Sequence, residues 1–466
     1  MKKYLAMVLI ITVLLGICGC TENVAMPEQS APAEGLLVGY AREKIMPETE
    51  VPMCSATTNP ISGGFRDYLY ATCIALTYGQ ETVLLITQDL LNTNTAKVAK
   101  SAITEATGIP AERIMLCSTH THSCPRMNIS DDSIVAYTRD VYAPAMAAAA
   151  KAALSDRAPA TLSGTKNKTE GMNFVRHYKM SDGTYAGDNF GSFSNSQIVS
   201  YATVNDPEML LVKICREGDK RDILIMNWQA HPCLTKADNI LSADFIGSTR
   251  EAIEEQTDML FAYFTGDAGN QNVTSMISAD VHHMENDAFG KALAQYAIDA
   301  LKNMQPLEGT GIRVSQEQLE YATNKANTDK LDQAKEVVAL WEAGGTTEAN
   351  ALAAKYGISS WMEARYIIQR VNYPETAQME LYAINVAGMA FVTAPYEMFT
   401  DNGIYIKENS PFDMTMVFSC ANNSHGYCPT EEAFDYESYE ASSSYFARGI
   451  GEAAASKLVE MLSSLK

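Results

Sequence analysis

The sequence predicts an α/β fold, a mixed β-sheet core flanked by helices. Three observations lead there. Apolar strand-like runs alternate with helix-like ones along most of the chain. Residues able to do chemistry cluster just after the apolar runs rather than within them. The composition, 47% hydrophobic and 20% charged over 466 residues, supplies a large core.

Taken in order, Tyr68 to Leu76 and Thr82 to Ile86 read as strands, and residues 92–106 as a helix. Arg113-Ile114-Met115-Leu116 reads as the next strand, followed by an Ala-rich helix at 141–154. Residues 165–200, rich in Gly, Ser, Asn and Tyr, read as a long loop, and loops of that length are often functional. Strands are expected at 209–215, 222–228 and 259–265, and helices at 246–256 and 285–304. The charged, Ala-rich block at 325–371 reads as a helical pair broken at Gly344-Gly345, with Leu331, Val337, Val338 and Leu340 spaced to pack against the core. Strands at 383–393 and 414–419 and a helix at 446–465 complete the pattern.

The ends and the charge bound the setting. Met1-Lys2-Lys3, an apolar stretch at 4–17 too short for a comfortable membrane span, and Ile17-Cys18-Gly19-Cys20 read as a lipoprotein signal over 1–19 with lipid carried on Cys20. Residues 20–35 read as a tether and 36–466 as one continuous domain. This predicts an extracytoplasmic bacterial lipoprotein held at the membrane. A formal net charge of −21 repels phosphate backbones and argues against a nucleic-acid partner. Eight further cysteines are scattered without a C-x-x-C pair, and their pairing is left open, as is the oligomeric state.

Five apolar runs are each followed by polar residues. C-S-T-H-T-H-S begins at Cys117, N-W-Q-A-H-P at Asn227, T-G-D-A-G-N-Q-N at Thr265, A-P-Y-E at Ala394 and S-C-A-N-N-S-H-G-Y at Ser419. Ligands of α/β sheets gather beyond the carboxyl ends of strands, so these segments are expected at one rim. Alternate strand positions share a face, which lets His120 and His122 reach one centre, or lets one bind while the other acts. With His231 and Glu397 they suit zinc, which takes imidazole nitrogen and carboxylate oxygen. Each signal alone has a plainer reading: a structural histidine, a Glu paired with an arginine, or Asp267 and Asn272 shaping a turn. His282-His283 reads as surface, His177 as a solvated loop residue, and His425 as near the rim by position only.

Seven pieces in order carry a resemblance. They are D-Y-L-Y-A-T (67–72), T-H-T-H-S-C-P (119–125), N-F-V-R (173–176), N-W-Q-A-H-P (227–232), T-G-D-A-G-N-Q-N (265–272), P-Y-E-M-F-T (395–400), and G-Y-C-P-T-E-E with Y-E-A-S (426–432 and 439–442). With these the chain resembles the catalytic domain of the neutral, or non-lysosomal, ceramidase family. The resemblance implies a Zn2+-dependent amidase acting on the N-acyl bond of a lipid amide. It makes His120, His231, Glu397 and Tyr427 metal ligands and His122 the unligated proton carrier. Arg176 and Tyr439 would line the site and steady the oxyanion, with Tyr436 as a neighbour.

Two departures accompany it. The family carries a serine where this chain has Gly269, and its C-terminal immunoglobulin-like domain has no counterpart here. Zinc and water need no side-chain nucleophile, so a non-sphingoid amide or an ester is the alternative substrate. A retired ligand-binding lipoprotein is the other reading, against which the full His-His-Glu-Tyr set argues. Bound zinc and release of fatty acid from N-acyl lipids separate the three.

Overall fold

The computed structural model describes residues 35–54, 60–187, 195–235, 239–277, 284–436 and 438–466. The expected signal, Cys20 and His282-His283 lie outside the described residues.

Strand and helix alternate as expected, but the strands form two large sheets rather than one. The first runs in the order β8–β7–β6–β5–β1–β2–β3–β4. Its members are β1 (Leu36–Lys44), β2 (Tyr70–Tyr78), β3 (Glu81–Gln88), β4 (Ile114–Ser118), β5 (Ala158–Lys168), β6 (Glu208–Arg216), β7 (Ile223–Trp228) and β8 (Leu260–Thr265). Gln305–Pro306 adds a short ninth strand against β5. The sheet is mixed: β3/β4 and β7/β8 are parallel and the other long pairs antiparallel. The second sheet is β9 (Ile312–Ala322), β10 (Thr376–Val386), β11 (Met389–Thr393) and β12 (Thr415–Phe418), in that order. The run expected as one strand at 383–393 is two, because Ala387 and Gly388 both take positive φ and turn the chain into a hairpin.

The two sheets face each other across one apolar layer. Leu36, Val38, Leu76, Leu85 and Val212 from the first meet Ile384, Met389, Phe391 and Phe418 from the second. Each such side chain contributes roughly 1.5–3 kcal/mol on full burial. The outer faces are covered by helices. α1 (Ala96–Thr107) and α2 (Ala143–Ser155) close over β1–β4. α3 (Phe245–Thr257) and α4 (Asn286–Ala300) close over β6–β8. On the second sheet α9 (Ile450–Ser463), after α8 (Thr400–Asn409), sets Leu458, Met461 and Leu462 on Met379, Leu381 and Val392. The result is four layers, helix–sheet–sheet–helix.

The helical block holds three helices, not a pair. α5 (Leu331–Glu342) and α6 (Thr346–Lys355) part at Gly344-Gly345, and α7 (Trp361–Arg370) begins after a second break. Ser360 caps α7 by accepting from Glu363 N. The block buries its own small core of Val337, Ala353, Trp361 and Ile367.

Of the segment expected as a loop at 165–200, the described residues are largely in strands. β5 continues to Lys168, and His177–Met180 pairs with Tyr185–Gly187 and Ile198–Tyr201 in a three-stranded sheet.

Candidate metal centre and active site

The carboxyl ends of β4, β7, β8, β11 and β12 converge. Asn227 ties three of them together. Its amide donates to Phe264 O (2.9 Å) and Val417 O (2.8 Å) and accepts from Val417 N (3.0 Å). Thr265 Oγ1 donates to Ser118 O at 3.0 Å, and Ser419 N to Thr265 O at 2.9 Å. The polar segments that follow these ends therefore meet at one place.

Strand alternation is not what brings His120 and His122 together. β4 ends at Ser118, and His120 takes φ +70°, in the left-handed region that non-glycine residues seldom occupy. Such a conformation costs on the order of 1–3 kcal/mol, and the surroundings must hold it. Here His120 N donates to Leu90 O at 3.0 Å and ring Nδ1 to Leu91 O at 2.6 Å. His231 is held the same way: its backbone N and its ring Nδ1 both donate to Gln271 O, at 2.9 and 3.1 Å. A carbonyl accepts only, so each Nδ1 carries the hydrogen and each Nε2 presents its lone pair.

Both lone pairs point at one oxygen. His120 Nε2 lies 3.2 Å and His231 Nε2 3.1 Å from Glu397 Oε2. Glu397 follows β11 and is placed by its N–H donating to Gly426 O at 2.8 Å, in the short parallel ribbon Glu397–Met398 with Tyr427–Cys428. Tyr427 Oη is 3.5 Å from the same His231 nitrogen. His120 and His231 are 2% and 1% exposed, while the Glu397 side chain keeps 18% exposure. His122 is half-buried, its ring centroid 5.1 Å from that of His120 and 5.7 Å from that of His231. The three histidines can each offer a ring nitrogen within 4.8 Å of the others, close enough to hold one metal ion.

Two acceptor nitrogens within 3.2 Å of one acceptor oxygen repel it unless a proton or a cation lies among them. Donor atoms on a tetrahedral ion bonded at 2.0–2.2 Å stand about 3.3–3.6 Å apart. The separations of 3.1, 3.2 and 3.5 Å match that scale, so the residues fit a metal. Without one, a proton takes the place. Burial opposes charge on His120, but the adjacent Cys420 and Glu397 outweigh it and raise its pKa well above the usual range. Burial lowers His231 to about 4. Burial favours the neutral acid at Glu397, yet His120 and His231 pull it well below the usual range.

Arg176 braces the far side of Tyr427. Its Nη2 donates to Tyr427 Oη (3.2 Å) and Gly269 O (2.9 Å), and its Nε to Glu440 Oε1 (2.8 Å). Glu440, wholly buried, also meets His177 Nε2 at 2.8 Å. His177 is thus buried in an ion-pair network, not a solvated loop residue. Tyr439 packs edge-on to Tyr427 with centroids 5.8 Å apart. Tyr436 stacks on Tyr185 at 4.4 Å and meets His177 edge-on at 5.7 Å. His425 lies against Tyr445 and Phe446 and does not join the histidine cluster.

Sequence reasoning passed over Leu91, Gln271 and Glu440. Glu440 lay within the Y-E-A-S piece, and Gln271 within T-G-D-A-G-N-Q-N. Leu91 acts only through its carbonyl and leaves no signal. At Gly269, an added Cβ would lie 2.7 Å from Met398 O and 2.8 Å from Glu397 O. The departure from the family serine is therefore built into the packing behind Glu397. Asp267 is fully buried beside Lys407, 3.7 Å from its ammonium.

The architecture has known counterparts. Neutral ceramidase from Pseudomonas aeruginosa superposes with a TM-score of 0.67 at 14% identity, over 93% of this chain and 75% of that one. The fold is that of the neutral ceramidases. A second structure, a ceramidase complexed with C2, aligns with a TM-score of 0.66 at 15% identity over the same shares. No family profile and no curated protein matches the chain. The ceramidase fold thus persists where sequence likeness has almost gone.

Proposed function

We propose that this chain is a zinc-dependent hydrolase of N-acyl amides, with ceramide or a related lipid amide as substrate. One observation carries the reading: two imidazole nitrogens steered by backbone carbonyls meet one carboxylate oxygen at 3.1–3.2 Å, beside a phenol at 3.5 Å. The ceramidase fold supports the amide class. In this reading His120, His231, Glu397 and Tyr427 hold the ion. A zinc ion bound there supplies Lewis acidity towards the amide carbonyl and activates water for attack.

The remaining work falls to the chain's own residues. His122, half-buried beside the cluster, takes a proton from the attacking water and returns it to the leaving amine. Arg176 acts through Tyr427, to which its Nη2 donates, while Nε and Nη2 also hold Glu440 and Gly269 O. It fixes the phenol and adds positive potential. Tyr439, one ring further out, packs edge-on to Tyr427 and would line the substrate side, and Tyr436 supports the aromatic wall. The leader supports attachment at Cys20, which would keep the enzyme at a membrane outside the cytoplasm. A Cys20→Ser chain would then leave the membrane fraction.

A second reading has the three histidines as ligands and Glu397 as the proton carrier, favoured by their mutual 4.8 Å reach. Metal analysis combined with fatty-acid release from N-acyl lipids tests the main proposal. One equivalent of zinc with release supports it. Zinc without amide cleavage turns the reading to esters, and neither result leaves a binding protein.

A further inference from the structure

A cavity of about 140 Å³ opens between α7 and the start of the short Tyr439–Ser443 helix. It is lined by Trp361, Met362, Arg365, Tyr366, Gln369 and Tyr439. Through Tyr439 it adjoins the candidate centre, since Tyr439 packs on Tyr427 at 5.8 Å and Tyr427 Oη stands 3.5 Å from His231 Nε2. The volume is close to that of a roughly 150 Å³ cavity that takes up one benzene molecule. It suits a compact group and not a long acyl chain.

The lining says which compact group. Arg365 is exposed at the lip, with Cζ 5.3 Å from the Trp341 ring and 5.9 Å from that of Trp361. Those two indoles stack on each other at 4.2 Å with 7° between planes, a rigid shelf under the guanidinium. The acid on the same helix, Glu363, is committed to Ser359, Asn327 and Arg370. No ion pair forms on Arg365 among the described residues, in a chain with 56 acidic and 35 basic side chains. A planar fork of donors, next to the Gln369 amide and two phenols, matches a carboxylate or sulfonate.

We propose that this cavity is the amine-side subsite and that it selects N-acyl amides whose amine portion ends in a compact anion, as in an N-acyl amino acid. The selection narrows the amidase reading above, from ceramide to related amides with a short amine portion, and depends on it for turnover, not for binding.

The test compares matched lauroyl amides of glycine, taurine and ethanolamine. The wild type is expected to favour the glycine amide over the neutral ethanolamine amide in kcat/KM by at least roughly tenfold, the effect of one charge-assisted contact. Arg365→Gln is expected to bring that ratio near one, and Arg365→Lys to retain part of it. Arg139→Gln, at an exposed arginine elsewhere, is expected to keep it. The taurine amide separates a demand for charge from a demand for carboxylate geometry. Binding is read independently by tryptophan fluorescence, since two of the chain's three tryptophans form the shelf. Lauroylglycine should perturb it in the wild type and not in Arg365→Gln. A ratio near one in the wild type, or unchanged in Arg365→Gln, overturns the subsite. Fluorescence binding without cleavage of any amide keeps the subsite and removes the amidase reading.

Discussion

Arg176 donates to the phenol oxygen of Tyr427 across 3.2 Å while its other contacts run to Glu440 and the Gly269 carbonyl. Arg176 is 3% exposed. Its hydrogen bond to the tyrosine is what links it to the centre. Arg176→Lys keeps the charge but cannot satisfy three partners in one plane. We expect it to lower kcat by roughly 10- to 1000-fold with zinc content nearly intact. Equal loss of zinc and activity would assign Arg176 to the metal's retention instead.

Removing Glu397 should strip the metal. Glu397→Gln leaves a neutral amide against two lone pairs, and we expect zinc affinity to fall by at least roughly 100-fold. Equilibrium dialysis against a chelator series gives the value. Retention of zinc at wild-type affinity would count against this carboxylate as ligand.

The two assignments of His122 part cleanly in one variant. With His122 as proton carrier, His122→Ala binds zinc normally and loses turnover by roughly 100- to 10,000-fold. With His122 as ligand, metal and turnover disappear together.

Acid should loosen the network behind Tyr427 within a defined window. Burial opposes ionisation of Glu440, but His177 and Arg176 pull its pKa from 4.5 to about 2. A carboxylate depressed on folding stabilises the fold above its unfolded value and loses that contribution as pH falls. The loss should therefore run between pH 4.5 and about 2 and amount to roughly 3 kcal/mol. Urea unfolding across pH gives the slope. Glu440→Gln should unfold earlier at pH 7 and show a flatter acid limb.

Restoring the family serine should harm this chain. Gly269→Ser drives Cβ to within 2.7–2.9 Å of the Glu397–Met398 backbone. Overpacking of this kind costs typically 1–3 kcal/mol. A lower melting temperature is expected, and an unchanged one would mean that the ribbon yields.

Much of the candidate site was legible because its side chains follow apolar runs, and five apolar residues in a row at Leu260–Phe264 with a polar segment after them read as a strand. What escaped had other causes. β9 alternates polar residues along a half-exposed face, so Ile312–Ala322 carried too little apolar signal. It exists because it pairs with β10 over eleven positions. The 165–200 region reads as a loop because turn-forming residues outnumber apolar ones, although Tyr178 and Met180 anchor a small sheet. That the strands divide into two stacked sheets depends on long-range pairing, which no local pattern contains. The H-x-H spacing predicts a shared strand face, whereas a left-handed turn at His120 aims the rings.

The imidazoles are steered by peptide oxygens of Leu91 and Gln271, and Arg176 rests partly on that of Gly269. Peptide groups survive substitution of the side chains they carry. Most of the surrounding side chains could therefore change while the path of the chain keeps the rings aimed.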